Sequence, residues 1–176
     1  MKRKSNAPSY LTPEQVEKLI AAARKGSHGT RDALLVLLMY RHGFRASEAA
    51  DLEWSQIDLA KGLMQVRRLK NGTPATHTMR GDEIRALRAW KAKQSPKSPL
   101  VFNIGRNMIG KLIAAYGEAA GLPPVHPHML RHACGYALAL AGHDTRRIQN
   151  WLGHASITNT VIYTAMSPEP FKDFWR

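Results

Sequence analysis

The sequence predicts a mainly α-helical domain into which one small β-hairpin is inserted early. Three observations carry that reading. Apolar residues recur at helical spacing on both sides of a short central region. In that region, residues 62–79, the period drops to two around Asn71-Gly72, the strongest two-residue hairpin signal. The chain has 176 residues, 44% of them hydrophobic and 22% charged, enough to bury one core and unlike a disordered tail or a collagen repeat.

The elements follow in order. Residues 1–11 read as a basic, flexible lead-in, and residues 12–176 as one domain. Thr12 caps the first helix, Pro13 takes its first position and Gln15 closes a capping box. Val16, Leu19, Ile20 and Ala23 form its apolar face, and Gly26 ends it. A second helix, about residues 30–40, is apolar nearly all round and predicts the buried centre, with Gly43 as its breaker. Ser47 is placed to cap a short third helix running through Leu52. Residues 62–69 and 73–79 form the two hairpin strands. The helical period returns after Gly81-Asp82 through Ile84, Leu87 and Trp90. A Pro/Ser-rich link, residues 95–99, leads to a short extended piece at Leu100-Val101-Phe102. Helices at about 107–120, 128–141, 144–152 and 156–163 complete the chain, with no internal repeat.

Charge points to a partner. Twenty-six Lys and Arg stand against 13 Asp and Glu, a net +13. A compact body with that excess repels itself unless it meets a polyanion, so nucleic acid comes first and anionic membrane second. The basic residues recur at Arg67-Arg68, Lys91, Lys93, Arg106, Lys111 and Arg146-Arg147 rather than in one tail. No separate basic amphipathic helix stands out, which disfavours the membrane reading. A merely soluble basic protein is the plain alternative. The longest apolar run, residues 33–40, falls short of the roughly 20 residues a bilayer span needs. Met1-Lys2-Arg3-Lys4 leads into polar residues rather than a secretory apolar segment, and the single Cys134 suits a reducing cytoplasm.

Several catalytic patterns are missing: there is no P-loop, GxGxxG, GxSxG or CxxC. His128 and His132 lie four apart, but Met129-Leu130-Arg131 between them lacks the Glu of a zinc protease, so no metal is expected. What remains is a scattered set: Arg45, Lys70, His128 with Arg131, His154 and Tyr163. Singly, each has an ordinary structural reading, such as an Arg45–Glu48 bridge, a turn-flanking Lys70 or a core Tyr163. Together they supply what phosphodiester cleavage needs without metal. Two arginines offer rigid bidentate donors to the charge that builds on non-bridging oxygens. A lysine at a hairpin tip can protonate a leaving alkoxide, histidines can move a proton, and a phenol can attack and hold the phosphate.

These segments, in this order, resemble the tyrosine recombinase (phage integrase) family. The likeness rests on Gly43-Phe44-Arg45-Ala46-Ser47-Glu48, a hairpin lysine, His128-Met129-Leu130-Arg131-His132, Leu152-Gly153-His154-Ala155-Ser156-Ile157 and Thr160 to Tyr163, and spans about residues 10–166. Within the family the wording His42-Gly43-Phe44-Arg45-Ala46-Ser47-Glu48, Arg68-Leu69-Lys70 and His126-Pro127-His128 is similar to the short invertases of fimbrial phase variation.

The resemblance implies the family's catalytic-domain fold and a site-specific recombinase working through a 3′-phosphotyrosyl intermediate. Tyr163 would attack, Arg45 and Arg131 would clamp the phosphate, and His154 would hydrogen-bond its oxygens. Lys70 would protonate the 5′-oxygen, His128 would assist at the tyrosine, Glu48 would orient Arg45, and His132 would support from behind. Arg67, Arg68, Arg106, Lys111, Arg146 and Arg147 are candidate DNA contacts, while base readout has no sequence signature here. No cofactor, metal or ATP is implied. The partner would be double-stranded DNA with short inverted repeats, bound by a homotetramer in the bacterial cytoplasm, with accessory DNA-bending proteins. No separate N-terminal core-binding domain is expected, and Phe171, Phe174 and Trp175 would anchor either a neighbouring subunit or the chain itself. A catalytically silent DNA-binding regulator and a type IB topoisomerase-like relaxing enzyme are the competing readings.

Overall fold

The computed structural model describes residues 9–69 and 71–165. Among these, α1 (Pro13–Arg24), α2 (Gly29–His42) and α3 (Ala46–Ala50) precede a sheet of β1 (Ile57–Asp58), β2 (Leu63–Val66) and β3 (Ala75–Thr78). Then follow α4 (Gly81–Lys93), α5 (Arg106–Ala119), α6 (Pro127–Leu140), α7 (Thr145–Leu152) and α8 (Thr158–Thr164). No helix among the described residues is long and apolar enough to cross a membrane.

The α1 capping box forms as its sequence dictates: Thr12 Oγ1 accepts from the Gln15 N–H at 3.3 Å, and Gln15 Oε1 accepts from the Thr12 N–H at 2.9 Å. The predicted apolar face of α1 is the face that is buried. Helix α2 is the centre of the core, burying Ala33, Leu34, Leu35, Val36, Leu38 and Met39 against α1, α4 and α6. Its apolar surround has two polar exceptions. Asp32, at the N-terminal end, accepts from the Tyr116 hydroxyl of α5 and from Arg31 Nε at 2.7 Å. His42, at the C-terminal end, hydrogen-bonds His77 Nδ1 at 2.9 Å through Nδ1 and Glu83 Oε1 at 2.7 Å through Nε2. His77 in turn stacks on Trp151, its ring 3.6 Å away. This buried chain joins α2, β3, α4 and α7, and each member needs the others because an unpaired buried polar group is costly.

Several expectations are corrected. Tyr10 and Leu11 do not belong to a loose lead-in: Tyr10 stacks on Tyr136 of α6 at 3.9 Å and Leu11 is buried in the core. Ser47 does not cap α3. The helix begins at Ala46, and Glu48 reaches back so that its Oε2 accepts the Arg45 N–H at 3.0 Å. The hairpin is not closed by a two-residue turn, since β2 and β3 pair from Leu63↔Thr78 only to Val66↔Ala75, leaving residues 67–74 between them. Asn71 still sits in a tight turn, at φ 61° with the Leu69 carbonyl accepting from the Gly72 N–H. The turn is the tip of a longer loop held from outside, where the Thr73 N–H donates to the Gly153 carbonyl at 3.2 Å. Strand β1 is too short to show a period and pairs through Ile57↔Met64. The extended piece at Leu100 forms a bridge with Glu53.

The core reading is testable at its centre. Leu38→Ala removes a side chain with no exposed surface from α2, which should lower unfolding stability by about 2–5 kcal/mol. Denaturant unfolding of the variant measures this, and a loss well under the lower bound would mean that α2 is not the packing centre.

Candidate active site

Four segments meet at the site: the α2–α3 junction, the base of the hairpin loop, the N-terminal half of α6, and the α7–α8 turn with α8. Glu48 stands at their centre. Its carboxylate accepts four donors: Arg45 N–H at 3.0 Å, Arg45 Nη1 at 2.8 Å, Arg68 Nη1 at 2.9 Å and Leu69 N–H at 3.2 Å. Burial alone would push this carboxyl up, but the Arg68 charge and the backbone donors outweigh it, and the group is held below the ordinary carboxylate range.

Arg131 approaches from α6 and is 1% exposed. It donates through Nη1 to the Gly43 carbonyl and through Nη2 to the Leu152 carbonyl at 2.8 Å. Burial and the repulsion of Arg45 and Arg68 push its pKa down to about 10, still far above neutrality. Three guanidinium groups therefore share one neighbourhood with one buried carboxylate. Such a place has net positive potential, which a bound anion would relieve.

Arg68 corrects the sequence reading. It is no surface phosphate contact, because its side chain is wholly buried. Besides Glu48, it donates through Nη2 to the His42 carbonyl at 2.8 Å and the Trp151 carbonyl at 2.6 Å, and through Nη1 to the Gly43 carbonyl at 3.3 Å. Sequence reasoning missed this role because two adjacent arginines before a turn look alike until the loop after β2 turns one inward. Arg67, its neighbour, is exposed beside Glu53. Arg106 and Lys111 are exposed on α5, and Arg146 and Arg147 on α7. Lys70, Phe171, Phe174 and Trp175 lie outside the described residues.

Gly153 ends α7 at φ 67°, a left-handed turn that glycine adopts without strain, and so presents His154 to the site. His154 Nδ1 bonds Thr160 Oγ1 at 2.8 Å. Tyr163, on α8, is 3% exposed. Its ring packs on Gly135 and edge-on to Tyr136, and lies 6.4 Å from the His154 ring. Its hydroxyl bonds His132 Nδ1 at 2.8 Å, so the partner of the phenol in this arrangement is His132, and His128 sits behind it in edge contact. This exchanges the two positions assumed from the sequence, and the helix explains it: residues 128 and 132 share a face one turn apart, and spacing alone does not say which meets α8. Burial pushes the Tyr163 phenol up to about 12, while the Arg131 charge pulls the other way. Burial, with the nearby positive charges, holds His128 and His154 at about 4 and so neutral at pH 7. Among the described residues no group of three or more His, Cys, Asp or Glu side chains converges to hold a metal ion.

Two measurements follow from this geometry. His77, His128 and His154 have folded pKa values of about 3, 4 and 4, against 6.5 ordinarily. The unfolded chain therefore binds more protons, and stability should fall as pH drops below about 6.5 and keep falling toward 4. Denaturant midpoints across that window test this, and a flat midpoint would contradict it. Gly135→Ala would put a Cβ 2.6 Å from Tyr163 Cε2 and Cζ. In an open helix that change stabilises, but here overpacking should cost about 1–3 kcal/mol. The displaced phenol, followed by NMR of ring-labelled tyrosine, should titrate closer to its ordinary value; unchanged titration would mean that the ring is not seated there.

The chain matches the phage integrase family over residues 9–169. It is 41% identical to the type 1 fimbriae regulatory protein FimE of Escherichia coli K12, covering 94% of this chain and 90% of that one. The crystal structure of XerA recombinase superposes with a TM-score of 0.79 at 28% identity, over 97% of this chain and 65% of that one. XerH site-specific recombinase, bound to its difH substrate in a pre-cleavage complex, shares the fold with a TM-score of 0.78 at 23% identity, over 95% and 53% of the two chains. The family model spans nearly the whole chain, including every segment that meets at the Glu48 centre, so the chain belongs to the phage integrase family of tyrosine recombinases.

Proposed function

We propose that this protein is a site-specific DNA recombinase that cuts and rejoins DNA through a 3′-phosphotyrosyl intermediate, with Tyr163 as nucleophile. The observation that carries the reading is the single cluster in which Arg45 and Arg131 are tied together through Glu48, Arg68 and the Gly43 carbonyl, with His132, the residue after Arg131 on α6, bonded to the Tyr163 hydroxyl. The XerA likeness and the family match support it.

In this reading the two guanidinium groups bind the non-bridging oxygens of one DNA phosphate, where charge grows as the phenol attacks. A preorganised donor of that kind is worth roughly 10²–10³ in rate. The Tyr163 oxygen forms a bond to phosphorus and gives its proton to a neutral histidine of the 128/132 pair. The bond from phosphorus to the 5′-oxygen breaks, and Lys70 supplies the proton that leaves a free 5′-hydroxyl. One ester replaces another, so the reverse attack by a 5′-hydroxyl reseals a strand without ATP. His154, neutral and fixed by Thr160, donates to the same oxygens.

The substrate is double-stranded DNA carrying short inverted repeats, cut by a homotetramer on the synapsed sites, with accessory bending proteins helping to bring them together. The segment between the sites is inverted, excised or integrated. The resemblance of its motifs to the short invertases of fimbrial phase variation favours inversion. The protein works in the bacterial cytoplasm.

The test begins by selecting bound sequences from a randomised duplex pool. A bound duplex nicked beside the cleavage position then traps the covalent product. The wild type should accumulate a protein–DNA adduct, and Tyr163→Phe should bind equally but form none. Binding without any adduct from the wild type would favour a silent regulator, and relaxed plasmid without recombinant product would favour a relaxing enzyme.

A further inference from the structure

We propose that Arg68 is a positioning residue for the Arg45 clamp: from its buried seat it fixes the Glu48 carboxylate that aims Arg45, and ties that carboxylate to the α7 end that presents His154. The proposal rests on the recombinase reading and adds to it a residue that contacts no DNA.

The seat is shaped for a guanidinium. Its two terminal nitrogens reach four oxygens on three segments: the Glu48 carboxylate, the carbonyls of His42 and Gly43, and the carbonyl of Trp151. An ammonium has three donors at a single point and cannot span that set. Backbone closes over the stem, for a Cβ at Gly153 would lie 2.5 Å from Arg68 Cγ and 2.7 Å from the Thr73 carbonyl oxygen. The remaining nitrogen, Nε, is buried without a partner, a cost accepted only where the other four contacts over-determine the position.

Arg68 also decides the charge of Glu48. Burial favours the protonated carboxyl, and the Arg68 charge is the largest effect opposing it. A protonated Glu48 would turn one oxygen into a donor and could no longer accept from Arg45 Nη1, Arg45 N–H, Leu69 N–H and Arg68 together. The charged and titratable groups around this pair are Arg45 at the start of α3, His77 on β3, Arg131 and Cys134 on α6, and His154 after α7. His154 also feels Arg68, so its titration must be separated from that of Glu48.

The test uses the full chain with Arg68→Gln and Arg68→Lys. Adduct formation on the nicked duplex is followed from about pH 5 to 9, together with the Glu48 carboxyl resonance by 13C NMR. Arg68→Gln should slow adduct formation by about 10²-fold at neutral pH, as a misaimed clamp does. It should also gain an acid limb absent from the wild type, its rate climbing as pH rises through a Glu48 titration displaced upward. Adding Glu48→Gln should erase that limb, which a His154 titration would survive. Arg68→Lys keeps the charge but not the span, and should lose rate with a smaller limb. Wild-type rates in either variant, or a rate loss whose pH profile parallels the wild type, would overturn the proposal. If the wild type itself forms no adduct, the recombinase reading fails instead, and an unshifted Glu48 resonance in Arg68→Gln would then reject the positioning role by itself. Should Arg68→Gln not fold, the rate and carboxyl titration of Arg68→Lys decide.

Discussion

The constraint from which the site follows is that three arginines must be held close together in a chain already carrying net +13. Two like charges a few ångströms apart at an effective dielectric near 20 repel by a few kcal/mol, and burial removes the water that would soften this. One carboxylate answers it. Glu48 takes Arg45 and Arg68 directly, while Arg131 spends donors on the carbonyls of Gly43 and Leu152. The Gly43 carbonyl accepts from Arg68 and Arg131 both, so the end of α2 becomes the point at which hairpin, α6 and α7 are fastened. The compensation is incomplete, with three cations against one anion. A site left in that state keeps a net positive potential that a bound anion would relieve.

The phenol sits under a different constraint. Buried against Gly135 and bonded to His132, Tyr163 is satisfied as a core residue, and its raised pKa keeps the phenol protonated at neutral pH. The helix that carries it is only seven residues long, has no side-chain N-cap bond and leaves Ile157, Val161 and Ile162 exposed. What must break for it to shift is mainly three side-chain bonds, His132–Tyr163, Thr145–Thr164 and His154–Thr160. The guanidinium groups, in contrast, hang from the buried junction of several elements. In the proposed reading, a rigid guanidinium clamp and a nucleophile on a short separate helix would suit chemistry that must aim accurately at one phosphate yet reverse.

What the sequence disclosed and what it withheld divide along the range of the interactions. Thr12, Pro13 and Gln15 speak to one another across a single turn, so the start of α1 was legible; α7 was placed by its period, but that Asp144 caps it, accepting from the Arg147 N–H at 2.9 Å, was not read. The burial face of α1 and the centrality of α2 followed from periodicity, which is also local. The Asn71-Gly72 signal located a turn but not the length of its loop, because the loop is held by Gly153, eighty residues away in sequence. For the same reason nothing distinguished Arg68 from Arg67: its partners Glu48, His42 and Trp151 come from three distant segments. The buried pairing of His42 with His77 and Glu83 was invisible on the same ground. Arg45, Arg131, His154 and Tyr163 were singled out by their wording and order, and the fold brings the segments that carry them together; that His132 rather than His128 meets the phenol was not legible, since both stand on one helical face.

The central claim is that one particular phenol among five tyrosines joins the DNA. Digestion of the trapped protein–DNA adduct, followed by mass spectrometry of the nucleotide-bearing peptide, addresses it directly. The account predicts a phosphodiester-linked 3′-nucleotide on Tyr163 alone, with Tyr10, Tyr40, Tyr116 and Tyr136 unmodified. A linkage on any of those four, or on a serine or histidine, would contradict it.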